Sequence, residues 1–167
     1  MAPTPEAKAR QEIDRLLGLA GWVVQDKDAL ELSAGLGVAM RGYQLPAGPC
    51  DYLLFVERKA AGVIEAKPEG KTPTGVTEQA GRYMQQLPAH LPRWADTLLF
   101  DCESTGTETL FREVRDPNAR SRHVFAFHRP ETLRMWATAP DTLRGHLERP
   151  IEPPGLPATA VPSGQPE

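Results

Sequence analysis

The sequence has little of several features that would narrow its class at once. It has two cysteines in 167 residues, Cys50 and Cys102, without the CxxC spacing of a metal or redox motif. Strand-like residues flank each one, so we expect small buried side chains and no disulfide framework. Apolar stretches are far shorter than a membrane span, and the N-terminus has no apolar signal region. These absences favour a cytoplasmic protein with no membrane partner.

An excess of charge of one sign is also lacking. The formal net charge is −3, so the field of the whole protein does not favour nucleic acid. Arginine is nevertheless concentrated in one segment, at Arg112, Arg115, Arg120, Arg122, Arg129 and Arg134. This segment either contacts phosphates or a partner protein, or forms an ordinary solvated face.

Helical periodicity occurs in three segments of a chain long enough for one domain with a hydrophobic core. The first covers residues 4–20, and Gly21 followed by Trp22 is typical of a left-handed C-cap glycine with an apolar contact. Further helices are predicted near 74–87, where Pro88 follows, and over roughly 130–147.

Strand-like segments lie between these helices. They are predicted at 38–45, 51–57, 61–67, 96–102, 109–114 and 123–128. Residues 24–37 are predicted as a loop, and the proline-rich residues 149–167 as a linker or disordered tail after a single domain over 1–148. This order predicts an α/β (α+β) fold, with a central mixed sheet flanked by helices.

The segment CDYLLFVERKAAGVIEAK, residues 50–67, places ionisable residues in a predicted hairpin. If the turn centres on Lys59, Asp51 lies opposite Lys67 and diagonal to Glu65, with all three side chains on one face. This arrangement requires an odd-length loop, because an even loop would turn the second strand over.

Two carboxylates at one point are the hard oxygen ligands that suit Mg²⁺ or Mn²⁺ in phosphodiester hydrolysis. On this interpretation Asp51 and Glu65 bind the metal, the backbone carbonyl of Ala66 completes its shell, and Lys67 orients water or neutralises the phosphate. The alternative is an exposed cross-strand ion pair between Asp51 and Lys67, with Glu65 as a solvated neighbour.

Two helix pairs add to the hairpin. Gln79 and Tyr83 are at i and i+4, which puts an amide and a phenol on one helix face, both able to donate hydrogen bonds to a phosphate. Glu6 and Arg10 have the same spacing, in line with the apolar residues of the first helix. That pair either serves a site or is a surface salt bridge.

The motifs EAKARQEIDRLLGLAGW, GPCDYLLFV, GVIEAK, EQAGRYMQQL and DPNARSRHVFAFHRPETLRMW together resemble a known family. The chain resembles the N-terminal nuclease domain of the restriction (R) subunit of type I restriction-modification enzymes, over roughly residues 6–147. The resemblance implies a restriction-endonuclease-like PD-(D/E)xK fold and Mg²⁺-dependent cleavage of double-stranded DNA in a prokaryotic cytoplasm.

The resemblance also implies roles for individual residues. Asp51 and Glu65 match the metal ligands and Lys67 the catalytic lysine. One departure is small, since Cys50 separates Pro49 from Asp51 where the family name has adjacent Pro-Asp.

The helix motif of this branch is matched by Gln79 and Tyr83, and Arg82 between them is a further candidate for DNA contact together with Lys67. Glu6 matches the helix acid that approaches the metal from outside its direct ligands, although Glu12 is a rival for this role.

The family's R subunits continue into an ATP-driven DNA translocase motor, and they assemble with modification and specificity subunits. Gly70-Lys71-Thr72 does not form a P-loop, because the required first glycine falls at Glu65, so we expect no ATP binding here. The chain is therefore predicted to be a nuclease-domain fragment or a truncated product. The alternative from another class is a non-catalytic assembly or DNA-docking module that keeps the fold and docks through the arginine-rich segment.

Overall fold

A computed structural model describes residues 1–71 and 87–142, together with Gly145 and Leu147. The described residues contain two α-helices, α1 (Pro5–Leu19) and α2 (Pro130–Thr138), and a short 3-10 helix, Lys27–Ala29. Their strands are β1 (Val23–Asp26), β2 (Gly37–Leu45), β3 (Gly48–Val56), β4 (Lys59–Ala66), β5 (Phe100–Ser104), β6 (Thr109–Glu113) and β7 (Arg122–Val124). The predicted helix at 74–87, apart from Leu87, and the predicted tail at 149–167 lie outside the described residues.

The strands form one seven-stranded mixed sheet in which spatial order follows chain order. β1 and β2 are parallel, as are β4 and β5, and every other neighbouring pair is antiparallel. The mixed sheet with its helices confirms the predicted α/β class. Neither described helix is long and apolar enough to cross a membrane.

Helix α1 has well-defined ends. The hydroxyl of Thr4 accepts a hydrogen bond from the Ala7 amide, and proline occupies the first helical position. At the other end Gly21 has φ +90°, and the Trp22 amide donates to the Leu17 carbonyl, as in a Schellman motif. The C-cap predicted from the sequence is therefore confirmed.

Both faces of the sheet are buried. Alternate residues of β3 enter different apolar clusters, because successive strand side chains point to opposite faces. The cluster that includes α1 and α2 contains Ile13, Leu17, Tyr52, Leu54, Ile64, Phe100, Phe111 and Leu133 among others. The other contains Val38, Met40, Leu53, Phe55, Val63, Leu91 and Leu98 among others. A sheet buried on both faces leaves its strand ends as the places where polar side chains can gather.

Several predicted boundaries were wrong. The predicted loop at 24–37 contains most of β1, whose valines pair in parallel with β2. The segment predicted as a strand over 123–128 is regular only to Val124, and Phe125 beyond it is wholly exposed. Helix α2 ends at Thr138, because Ala139 precedes Pro140 and has an extended backbone. The strand predicted over 96–102 begins only at Phe100.

Candidate active site

The hairpin of β3 and β4 differs from the predicted one. Its turn consists of two residues, Glu57 and Arg58, with φ of 52° and 65°, so it does not centre on Lys59. Positive φ at both positions is typical of the type I′ turn, whose twist matches that of the flanking strands. An even turn of this kind was expected to separate the carboxylates.

A β-bulge restores the phase of the two strands. Phe55 pairs with Ala60 but Leu54 pairs with Gly62, so Ala61 is an additional residue in β4. Beyond the bulge Tyr52 pairs with Ile64, and the next step along this register brings Asp51 level with Glu65. The expectation that Asp51 lies opposite Lys67 was therefore wrong. The turn is shorter than expected, and together with the bulge it places Asp51 opposite Glu65.

The carboxyl groups of Asp51 and Glu65 lie close enough to each other for Asp51 to raise the pKa of Glu65. Glu65 is 7% exposed. Burial, followed by the hydrogen bond and the negative charge of Asp51, raises the pKa of Glu65 to about 8. Near neutral pH the Glu65 carboxyl is therefore largely protonated, which lets it lie beside Asp51 without repulsion between two full negative charges.

Asp51 has two further partners. Its Oδ2 accepts a hydrogen bond from the Ala66 amide at 2.9 Å. Its Oδ1 accepts from the Arg10 guanidinium, at 2.9 Å from Nε and 2.5 Å from Nη2. Asp51 thus connects β3 to β4 and to α1.

At the end of β4, the backbone amides of two successive residues donate to opposite sides of the strand. The Lys67 amide donates to the Ser104 carbonyl of β5 at 2.8 Å, while the Ala66 amide donates toward β3. Since the amide and carbonyl of one strand residue face the same neighbouring strand, the Ala66 carbonyl is directed to the side of Asp51. Burial raises the pKa of both Glu65 and Asp101, and the positive charge of Lys67 partly opposes the rise in each, so Lys67 acts on both carboxyls.

A cavity of about 580 Å³ opens at this end of the hairpin. Its charged lining residues are the acids Glu6, Asp51 and Glu65 and the bases Arg10, Arg41, Lys67 and Lys71. The acids of the hairpin therefore face a space bordered by positive charge, which is suited to a phosphate.

The two candidate acids of α1 differ in position. Glu6 lines the cavity and its Oε1 accepts a hydrogen bond from Arg10 Nη2 at 2.8 Å. Glu12 instead pairs with Arg15, and it is not among the residues that line the cavity. Of the two, Glu6 is placed to act on the site.

Polar contacts hold α1 against the sheet. The Tyr52 hydroxyl donates to Asp14 Oδ1 at 2.8 Å and lies 3.1 Å from the Arg10 carbonyl oxygen. Arg41 of β2 binds Asp14 and Asp26 at 3.0 and 2.9 Å. These contacts fix the first helix relative to β3, and so place Arg10 and Glu6 beside Asp51.

Cys50 lines the cavity but is not suited to the chemistry of an exposed thiolate. Burial raises its pKa to about 12, and its thiol donates to the Tyr43 carbonyl. Both cysteines are buried and unpaired, as the sequence predicted.

Other candidate residues are placed differently. Gln79, Arg82 and Tyr83 lie outside the described residues. Within the arginine-rich segment, several side chains make contacts inside the protein: Arg112 pairs with Asp101, Arg115 with Glu113, and Arg122 lies over the rings of Phe111 and Trp136.

The residues missed by sequence reasoning are Arg10 as a partner of Asp51, and Arg41 and Lys71 as lining residues. The spacing of Glu6 and Arg10 on the core-facing row of the helix indicated a role for Arg10, but it did not identify Asp51 as its partner. Nothing in the local sequence marks the other two.

In residues 1–71, 87–142, 145 and 147, no group of three or more histidine, cysteine, aspartate or glutamate side chains is suited to hold a metal ion. Comparison with known proteins found no matching family model, no matching curated protein and no matching solved structure. The geometry of the site is therefore what bears on function.

Proposed function

We propose that the chain is a Mg²⁺-dependent endonuclease domain that cleaves double-stranded DNA, with the PD-(D/E)xK fold of type I restriction R subunits. The observation that carries the proposal is that the carboxyl groups of Asp51 and Glu65 lie side by side at the end of the β3–β4 hairpin. This pair lies beside Lys67 and faces a cavity with a basic border. A structural ion pair on a wet face would not need Glu65 to be buried.

The donor set fits Mg²⁺ or Mn²⁺. Magnesium in phosphoryl-transfer sites is held by one or two carboxylates, while waters and substrate phosphates fill its other positions. Asp51 and Glu65 supply the carboxylates, and the direction of the Ala66 carbonyl suits a third oxygen ligand. The absence of a three-side-chain group among the described residues is compatible with such a site.

The chemistry supplied with Mg²⁺ bound is polarisation of the phosphate and a lowered pKa of bound water. With a divalent cation bound between the two carboxyls, Glu65 would be ionised, because the charge of the cation would favour the carboxylate form. Lys67 orients the attacking water or neutralises phosphate charge. Gln79, Arg82 and Tyr83 are proposed to contact the DNA backbone.

The proposal extends to the assembly. Modification and specificity subunits would select the DNA site and deliver it, and the translocase motor of the R subunit would supply ATP-driven movement. A net charge of −3 suits a module delivered to DNA by its partners, because such a module need not bind DNA strongly alone.

Nicking of supercoiled plasmid with Mg²⁺ or Mn²⁺ tests the activity. We expect wild type and Arg15→Gln to nick, and Asp51→Ala and Lys67→Ala to lose at least about a hundredfold in rate. Arg15 is a suitable control since it is paired with Glu12, outside the cavity lining. Equal nicking by all four proteins would contradict the assignment.

A second candidate function is a non-catalytic docking module, favoured by one observation. Phe125 is wholly exposed directly after β7. Exposed aromatic side chains are enriched at protein interfaces. This candidate predicts that Phe125→Ser prevents assembly with partner subunits and that Asp51→Ala has no effect on the complex.

A further inference from the structure

Arg10 occupies the carboxylate oxygen that a cation at this site would need. Its guanidinium contacts Asp51 Oδ1 through two nitrogens, at 2.9 and 2.5 Å, and Glu6 Oε1 at 2.8 Å. The Arg10 side chain is 49% exposed, whereas that of Asp51 is 13% exposed. The positive charge therefore reaches inward from the mouth of the cavity to a largely buried acid.

Asp51 cannot offer Oδ1 to a divalent cation while Arg10 holds it. The other oxygen, Oδ2, already accepts the Ala66 amide. Two positive charges around one carboxylate oxygen also repel each other, and the repulsion is stronger near a partly buried group than in water. Cation binding at Oδ1 and the Arg10–Asp51 contact are thus mutually exclusive.

We propose that Arg10 exchanges partners, binding Asp51 before a divalent cation arrives and a DNA phosphate afterwards. This rests on the proposed function, and it adds a positioning residue that couples cation binding to DNA binding. Glu6, one helical turn earlier on α1, keeps the released guanidinium at the cavity mouth. A planar guanidinium binds phosphate through two parallel hydrogen bonds, which suits it for the second partner.

Arg41, the other arginine among the described residues that line the cavity, is not suited to this exchange. It binds Asp14 through Nε and Nη2 and Asp26 through Nη1, and Asp14 also accepts the Tyr52 hydroxyl. Moving Arg41 would leave two carboxylates without their cation. Moving Arg10 would leave only the Asp51 carboxylate without its arginine partner, and the divalent cation would itself neutralise that carboxylate.

The experiment uses Arg10→Gln, with Arg15→Gln as the matched control on the same helix. Mn²⁺ titration by calorimetry without DNA is expected to show about tenfold tighter binding to Arg10→Gln, because the competing charge is gone. Fluorescence anisotropy with a DNA duplex and Ca²⁺, used in place of a cation that supports cleavage, is expected to show about tenfold weaker binding to Arg10→Gln. Arg10→Lys keeps the charge, so its affinities for Mn²⁺ and for DNA should lie between those of wild type and Arg10→Gln. Arg15→Gln should match wild type in both assays.

The opposite signs of the two effects distinguish exchange from a merely structural role, which would weaken both affinities together. Unchanged or weaker Mn²⁺ binding by Arg10→Gln would overturn the exchange and leave the nuclease proposal standing. If wild type itself binds no Mn²⁺, the proposed function fails and the exchange fails with it. Thermal unfolding of each variant confirms that the compared proteins are folded.

Discussion

The carboxyl groups of Asp51 and Glu65 meet across β3 and β4 because Ala61 is bulged out of the β4 register. Without that residue the two-residue turn would set Asp51 level with Ile64, whose side chain enters the apolar cluster that includes α1. A single additional residue in one strand thus decides whether the two acids share a site. Bulges are found often beside active sites, where they redirect a side chain.

The first prediction concerns the pH dependence of stability without divalent cations. Unfolded Glu65 releases its proton near its ordinary pKa of 4.5, while the folded protein keeps it to about 8. The folded state therefore binds more protons between these values, and the free energy of unfolding falls as pH rises. Denaturant titrations from about pH 6.5 to 8 should show a decline of up to about 2 kcal/mol in wild type.

Glu65→Gln should flatten this decline, because glutamine does not titrate. Glu12→Gln is the control, since Glu12 pairs with Arg15 at the surface. The chosen range lies above the pKa of Asp101, which burial raises to about 6. A decline of the same size in Glu65→Gln would show that another group is responsible.

The second prediction concerns the anchor of α1. Tyr52→Phe removes the hydroxyl that donates to Asp14 at 2.8 Å and leaves the cavity-lining charges unchanged. We expect a loss of about 1–2 kcal/mol in the free energy of unfolding, since a partly buried hydrogen bond to a charged group is lost. Tyr43→Phe, on β2, is the comparison in the same denaturant titration. Equal losses in the two variants would mean that the Tyr52 hydroxyl is not an anchor.

The third prediction uses two glycines with opposite expectations. A Cβ at Gly62 would lie 2.6 Å from the Phe100 carbonyl oxygen, because β4 and β5 approach closely there. Gly62→Ala should therefore cost about 1–3 kcal/mol. A Cβ at Gly18 in α1 meets nothing within 4 Å, so Gly18→Ala should stabilise by up to about 1 kcal/mol. Thermal unfolding measures both changes in stability. A change of the same sign in the two variants would contradict the packing described here.

The sequence predicted those elements whose determinants are local. Helix α1 has a threonine cap, an apolar spacing and Gly21 within one segment, and its limits were predicted to within one residue. β2 was likewise predicted to within one residue, because Pro46 and its apolar residues mark it. The α/β class followed from the order of such segments.

What could not be predicted depends on contacts between distant residues. The bulge at Ala61 is fixed by pairing on both sides of β4, where Ala61 accepts from the Leu99 amide, so local sequence does not reveal it. β1 was missed because a four-residue strand is too short for periodicity. The Arg10–Asp51 contact joins residues 41 positions apart, and only the docking of α1 makes it possible.

The fourth prediction concerns stabilisation by Mn²⁺. A cation that binds only the folded protein raises its free energy of unfolding by about 2.7 kcal/mol at a hundred times its dissociation constant. Wild type and Glu12→Gln should both show this rise in thermal unfolding. Asp51→Asn and Glu65→Gln should lose most of it, since each removes one of the two proposed carboxylate ligands. A full rise in both of these variants would place the cation elsewhere.

Anomalous diffraction from crystals soaked in Mn²⁺ tests the account most directly. We predict a peak between the Asp51 and Glu65 carboxyls, with one oxygen of each at about 2.0–2.3 Å and the Arg10 guanidinium withdrawn from Oδ1. The contradicting result is the absence of a peak at this position while Mn²⁺ fully occupies other sites. The Asp51 and Glu65 carboxyls would then still lie against each other.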